Sequence, residues 1–220
     1  MIPKIKKAIL LSGGIDSTTI AYKNRGYSCL AIGFNYGQRH ISEVRYAKAT
    51  AKKLGMEWIE VELFQVKDLF LRCALTDGTS DNVVAKNRNE VFLSIACAIA
   101  SGRGIPEVLF GATAEDYAKF PDCRPAWLDS LNKTHRLAQI GVRVSAPFIH
   151  KTKSQVVKLA RKLGVPFEET MSCYAGNNCG KCLACKTRAT AMDHERCGRC
   201  GSVMHSILEC GVSIKNRIKK

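Results

Sequence analysis

Short apolar runs alternate with longer amphipathic stretches through the first two-thirds of the chain. KAILL (7–11), YSCLAIGF (27–34), MEWIEVEL (56–63), EVLFGAT (107–113) and VRVSAPF (142–148) have the length and side-chain types of strands. Between them, DSTTIAYKNRG (16–26), SEVRYAKATAKKLG (42–55), NEVFLSIACAIASGRG (89–104), AWLDSLNKTHRLAQI (126–140) and TKSQVVKLARKLG (152–164) read as helices. Gly26 closes the first, and the second runs from Ser42 as N-cap to Gly55 just past its end. In the last, Thr152 and Gln155 stand at capping-box spacing, while Val156, Leu159, Ala160 and Leu163 share one face. Apolar strands separated by helices predict an α/β fold with a doubly wound, mainly parallel sheet covered on both faces.

Two stretches break the alternation. Residues 72–88 and 114–125 lack periodicity and read as loops. From Ser172 onward the text changes to Cys, Gly, Lys and Asn, which places a boundary within 145–172. The expected organisation is an α/β core over 1–150 and a C-terminal helical, metal-binding segment with a Cys/His-rich tail over 151–220.

Charge and cysteine content narrow the chemistry. The chain has 34 Lys and Arg against 19 acids, a formal charge of +15 that suits polyanionic partners and is also met by solvated lysines. The longest apolar run, VFLSIACAIA (91–100), is far short of the roughly 20 residues that span a bilayer. The basic, then apolar N-terminus runs straight into glycines with no small-residue cleavage site, so a signal peptide is not expected. Eleven cysteines, an odd number in closely spaced groups, point to reduced thiols and metal in a cytoplasmic protein.

The first candidate site is SGGIDSTT (12–19), between the first strand and first helix. At such a junction in a parallel sheet, ligands meet strand carboxyl ends and helix N-termini. Gly13 and Gly14 let backbone approach an anion, Ser12, Ser17 and Thr18 add hydroxyls, and the helix end adds N–H donors. The spacing matches neither a Walker loop nor G-x-G-x-x-G. SGGIDS resembles the signature of the PP-loop ATP pyrophosphatases, a family of the adenine nucleotide alpha hydrolase-like fold. That resemblance implies cleavage of ATP between the α- and β-phosphates, with Asp16 holding Mg²⁺ or orienting the loop.

The second is SCYAGNNCGKCLACKTR (172–188). Its Cys173, Cys179, Cys182 and Cys185, spaced C-x5-C-x2-C-x2-C, can close a tetrahedron around a structural Zn²⁺. An iron–sulfur cluster also takes four thiolates, but the run lacks the bacterial ferredoxin spacing. A further group, His194, Cys197, Cys200, His205 and Cys210, is either a second zinc site or an incidental tail. Cys29, Cys73 and Cys97 read as small core residues.

FNYGQRH (34–40), RNEVFLSIA (88–96) and DYAKFPDCRP (116–125), taken in order with the glycine loop and the cysteine run, resemble the QueC family of 7-cyano-7-deazaguanine synthases over roughly residues 7–190. The resemblance implies conversion of 7-carboxy-7-deazaguanine and ammonia to the nitrile, with two ATP, through an adenylated acid and an amide. It places Leu11, Ser12, Gly13, Gly14, Ile15, Asp16, Ser17, Thr18 and Thr19 along the ATP phosphates and Arg88 and Asn89 near the nucleotide. Tyr36, Gln38, Arg39, His40, Asp116, Tyr117, Asp122 and Arg124 would surround the deazapurine and its carboxylate. Asp16, Ser17 and Lys153 are the expected catalytic groups, Lys153 as a neutraliser of phosphate. ATP, Mg²⁺ and Zn²⁺ are the implied cofactors, and a homodimer that needs neither nucleic acid nor membrane is the implied state. The chain departs from the family where VVAKN (83–87) replaces a usual Val-Pro, in a shorter gap between the first two zinc cysteines, and in the tail after about residue 190. Three other readings fit some of these features: a tRNA-modifying PP-loop enzyme of the thiolase or lysidine synthetase type, with Cys123 as the available nucleophile; a relative that stops at the amide or conjugates the deazaguanine; and a zinc-ribbon binding module without catalysis.

Overall fold

The computed structural model describes residues 4–65, 70, 73, 75–76, 85–116 and 119–196, the last four without their side chains. Most of the expected 72–88 loop, Tyr117 and the Cys/His tail from Cys197 lie outside the described residues, as does the His194 side chain.

Among the described residues, five strands form one parallel sheet: β1 (Lys7–Leu10), β2 (Cys29–Asn35), β3 (Glu57–Glu62), β4 (Glu107–Leu109) and β5 (Arg143–Ser145), in the order β3-β2-β1-β4-β5. The helices are α1 (Ile15–Lys23), α2 (Ser42–Lys53), α3 (Arg88–Gly102), α4 (Pro125–Leu137), α5 (Lys153–Leu163) and α6 (Leu183–Arg196). Because successive strand side chains point to opposite faces, Ala8, Leu30, Ile32, Val108 and Val144 join one core with Phe92, Leu93, Leu128 and Leu131. Ile9, Ala31 and Leu109 join another with Ile20, Ala47, Ala51 and Val156. Helices α3 and α4 thus cover one face and α1, α2 and α5 the other. No described helix is long and apolar enough to cross a membrane.

The differences from the sequence reading have identifiable physical causes. Strand β4 ends at Leu109, short of Thr113, because the chain turns across the first turn of α1. There a Cβ on Gly111 would lie 3.2 Å from Asp16 Cβ and from the Ser17 nitrogen. The chain after β5 closes turns from Ile149 N–H to the Ala146 carbonyl and Lys151 N–H to that of Phe148. Tyr27 is exposed and β2 begins only at Cys29. Ser42 is not an N-cap: Ile41 before it is already helical, and the Ser42 hydroxyl donates to the Gly176 carbonyl at 3.4 Å. The loop 114–125 contains two single helical turns, Ala114–Asp116 and Pro121–Cys123. Helix α5 has the full capping box and ends at Gly164 in the left-handed region (φ 74°). It also buries Val157, against Ile15, Tyr22 and Ala191, because α1 and α6 flank it.

Candidate functional site

The order in which strands are added to the sheet reverses between β1 and β4, which is where an open parallel sheet leaves a crevice at its carboxyl ends. A cavity of about 340 Å³ opens there. On one side lies the glycine loop. Gly13 has φ +81°, and a Cβ on it would come within 2.4 Å of the Glu43 carbonyl oxygen, so only glycine lets α2 abut the loop. The Ser17 hydroxyl ties the loop together: it donates to the Gly14 carbonyl at 3.2 Å, accepts the Ser12 N–H at 3.2 Å and meets the Ser12 hydroxyl at 3.1 Å. Gly14 is the extended N-cap of α1 and donates no side-chain cap, which leaves the helix's first N–H groups to a ligand.

Asp16 faces the cavity from the first turn of α1. One of its oxygens pairs with the Lys153 ammonium, and the other, Oδ1, is buried with no partner. Burial opposes the charge on Lys153, yet Asp16, Asp116 and Glu115 outweigh it and raise its pKa, so the ammonium persists at neutral pH. Glu115 accepts the Lys153 backbone N–H at 2.7 Å, and Asp116 accepts both the N–H and hydroxyl of Thr113 at 2.8 Å.

The opposite side is aromatic. Phe34 and Phe92 stack with centroids 4.2 Å apart, Tyr36 tilts against Phe92, and Phe110 and Phe120 complete the lining. Arg88 donates to the Tyr36 hydroxyl at 3.3 Å from above its ring. Burial pushes that hydroxyl up to about 12, against the pull of Arg88, so it stays protonated. The Asn89 amide donates to Cys123 Sγ at 3.5 Å. Burial first, then Asp116 and Asp122, push the Cys123 thiol up, which keeps it from being a thiolate.

The third wall comes from the cysteine segment. Met171 N–H donates to the Gly13 carbonyl at 2.9 Å, and Ser172, Tyr174, Leu183, Ala184, Thr187 and Arg188 line the cavity. Arg188 donates to the carbonyls of Phe167 and Thr170, fastening α6 to the strip that pairs with the loop. The sulfurs of Cys173, Cys179, Cys182 and Cys185 all lie within 4.8 Å of one another, a spacing that fits one tetrahedral ion. Backbone N–H groups of Cys179, Cys182 and Cys185 point at the sulfurs of Cys173, Cys179 and Cys182 at 3.3–3.5 Å. Burial raises the Cys173 thiol, but N–H donation from Cys179, Asn177 and Ala175 outweighs it and brings the thiol down to about 6. The donor set therefore suits a thiolate-bound metal such as zinc.

Of the residues expected to contact ligands, Leu11, Ser12, Gly14, Ile15, Asp16, Ser17, Tyr36, His40, Arg88, Asn89, Asp116 and Lys153 line this one cavity. Gly13, Thr18, Thr19, Gln38, Arg39, Asp122 and Arg124 do not. Thr19 is fully buried and donates to the Ile15 carbonyl at 2.6 Å. The Gln38 amide accepts the Tyr36 N–H at 2.8 Å and donates to the Phe34 carbonyl at 3.0 Å, holding the turn after β2. Arg39 and Arg124 are exposed. Arg88 and Asn89, expected near the nucleotide, sit on the aromatic side of the cavity. Glu43, Tyr174 and Arg188 line the cavity and were not anticipated; a carboxylate three residues after His40 was the available signal for Glu43.

Comparison with known proteins gives a consistent picture. The family model described as "Queuosine biosynthesis protein QueC" matches residues 6–196. A 7-cyano-7-deazaguanine synthase of Nostoc punctiforme is 36% identical, over 85% of this chain and 94% of its own length. One from Archaeoglobus fulgidus is 38% identical, over 83% of this chain and 82% of its own length. Among solved structures, the U34-tRNA thiolase of Methanococcus maripaludis, with its 4Fe–4S cluster, superposes with a TM-score of 0.55 at 21% identity. That match covers 87% of this chain and 64% of the thiolase, and it speaks to the fold alone.

Proposed function

The chain belongs to the QueC family, and from that premise we propose that it converts 7-carboxy-7-deazaguanine and ammonia to 7-cyano-7-deazaguanine, consuming two ATP. The observation that carries this reading is the two-sided cavity: anion donors and a lysine on one side, an aromatic wall on the other. A polyphosphate fits the first and a planar deazapurine the second.

A carboxylate is inert to ammonia at neutral pH, because its leaving group would be oxide. In this reading the substrate carboxylate attacks the α-phosphorus of ATP, pyrophosphate departs on the glycine loop, and the acid is left as a mixed anhydride with AMP. Ammonia then displaces AMP to give an amide. A second adenylation, on the amide oxygen, turns that oxygen into a leaving group, and loss of AMP yields the nitrile. The loop N–H groups and the Lys153 ammonium hold charge on the departing pyrophosphate. The orphaned Oδ1 of Asp16 is the group that would hold Mg²⁺, which when bound neutralises phosphate charge. Zinc on Cys173, Cys179, Cys182 and Cys185 would be structural, since four sulfurs leave no open position.

The buried, hydrogen-bonded Cys123 thiol supports this reading over a thiolase, which needs an accessible thiolate. The homodimer expected from the resemblance and the cytoplasmic setting expected from the cysteines belong to the same proposal, which requires no nucleic acid; sedimentation tests the dimer. ATP–pyrophosphate exchange tests the first half-reaction. Labelled pyrophosphate should enter ATP only when 7-carboxy-7-deazaguanine is present and without ammonium. Exchange that ignores the acid would overturn the proposal.

A further inference from the structure

We infer that Glu43 is the seat of ammonium in this cavity, an assignment that rests on the function proposed above. A cavity built for ATP and a carboxylate is a costly place for a bare carboxylate, which repels both ligands. The acids on its wall have separate fates. Asp16 is paired with Lys153, Glu115 accepts the Lys153 backbone N–H, and one oxygen of Asp116 is taken up by Thr113. Glu43, on the first turn of α2, forms no ion pair with a lysine or arginine among the described residues. Arg88 feels its charge from α3 but hydrogen-bonds to Tyr36.

Gln38 and His40 instead hold the Glu43 carboxylate in place. The Gln38 amide donates to Oε1 at 3.3 Å, and His40 Nε2 stands 3.2 Å from Oε2. Both are almost fully buried, Gln38 at 3% and His40 at 6% exposed, and Gln38 is itself fixed to the backbone of β2. Gly176 of the cysteine segment packs against His40 from the other side. The Y-G-Q-R-H stretch therefore serves to present a carboxylate, and its Gln38 and His40 act as positioning residues. The Glu43 side chain is mostly buried, 16% exposed, and the residue lines the cavity, while its carbonyl lies against Gly13. Ammonium bound there would sit beside the phosphate loop, and its proton passes to the Glu43 carboxylate as the ammonia so formed attacks the activated carbonyl. Among the reactants of the proposed reaction, ammonium is the monovalent cation with hydrogen-bond donors that this acceptor fits.

Steady-state amide formation against ammonium concentration, run beside ATP–pyrophosphate exchange without ammonium, tests the assignment. Glu43→Gln should raise the ammonium KM about tenfold or more, the loss of one charge-assisted hydrogen bond, while acid-dependent exchange persists. Glu43→Asp keeps the carboxylate one methylene back and should give a smaller rise, which keeps the test available if the Gln variant fails to fold. An unchanged ammonium KM in both variants would overturn the assignment, as would a raised Mg²⁺ requirement with ammonium dependence intact. A wild type that shows no exchange would instead sink the functional reading on which the assignment rests.

Discussion

The glycine loop and the cysteine turn face one cavity and are joined by the bond from Met171 to Gly13, yet they rest on different foundations. The loop is the end of a strand buried on both faces, with Ile9, Leu11, Ile20 and Leu30 almost fully enclosed beneath it. Each such side chain contributes about 1.5–3 kcal/mol on burial. The segment 173–185 has little apolar core of its own: three of its four cysteines are partly exposed, and residues 175 and 177–178 face solvent. Four thiols and the Arg188 clamp hold it, and a structural zinc there would contribute about 10–16 kcal/mol in apparent binding. A wall set by hydrophobic burial is present whenever the domain is folded. A wall set by thiolates would depend on the metal they hold.

The largest effect that separates the two should come from Asp16→Asn, on the burial-held side. Turnover should fall at least roughly a thousandfold, from several kcal/mol of lost charge stabilisation, while circular dichroism and zinc content stay unchanged. Lost secondary structure would mean that Asp16 serves the fold. On the metal-held side, Cys182→Ser should lose zinc and acid-dependent exchange together, because Leu183, Ala184 and Tyr174 leave the wall. Cys97→Ser, deep in the sheet core, should keep full metal content by elemental analysis. Exchange that survives zinc loss would show the wall to be independent of metal.

Gly13→Ala attacks the seam between the regions. Its Cβ would meet the Glu43 carbonyl at 2.4 Å in a backbone conformation costly for alanine, so α2 and the loop must part. A displacement near 1 Å at a reacting site costs about a hundredfold in kcat/KM, and a variant within twofold of wild type would contradict the close approach. The smallest effect is expected from Thr152→Ala, which removes the α5 capping box. It should cost about 1 kcal/mol in chemical denaturation, without changing zinc content.

How far the sequence reaches follows from the same contrast. Strands β1 to β3 and the long helices were legible because period and composition agree with burial. The early ends of β4 and β5 were not: the first depends on Gly111 crossing α1, far away in sequence, and the second on the tight turns closed at 146–149 and 148–151 in an apolar run that reads as strand. Ser42 has every local mark of a cap, but Gly176, 134 residues away, takes its hydroxyl. The cysteine spacing marked the metal ligands directly, whereas nothing local says that Tyr174 and Arg188 between and beyond them look into the nucleotide crevice. Glu43 was hidden for the opposite reason, because a Glu in the first turn of a helix is ordinarily a solvated partner of the helix dipole.

One cavity is expected to adenylate the acid and carry it to the nitrile. Purified protein with 7-carboxy-7-deazaguanine, ammonium, Mg²⁺ and ATP, followed by mass spectrometry with nucleotide quantitation, measures that directly. The expected outcome is 7-cyano-7-deazaguanine with two AMP and two pyrophosphate per nitrile formed. ADP and phosphate as the nucleotide products, or an amide that accumulates and is never dehydrated, would contradict it.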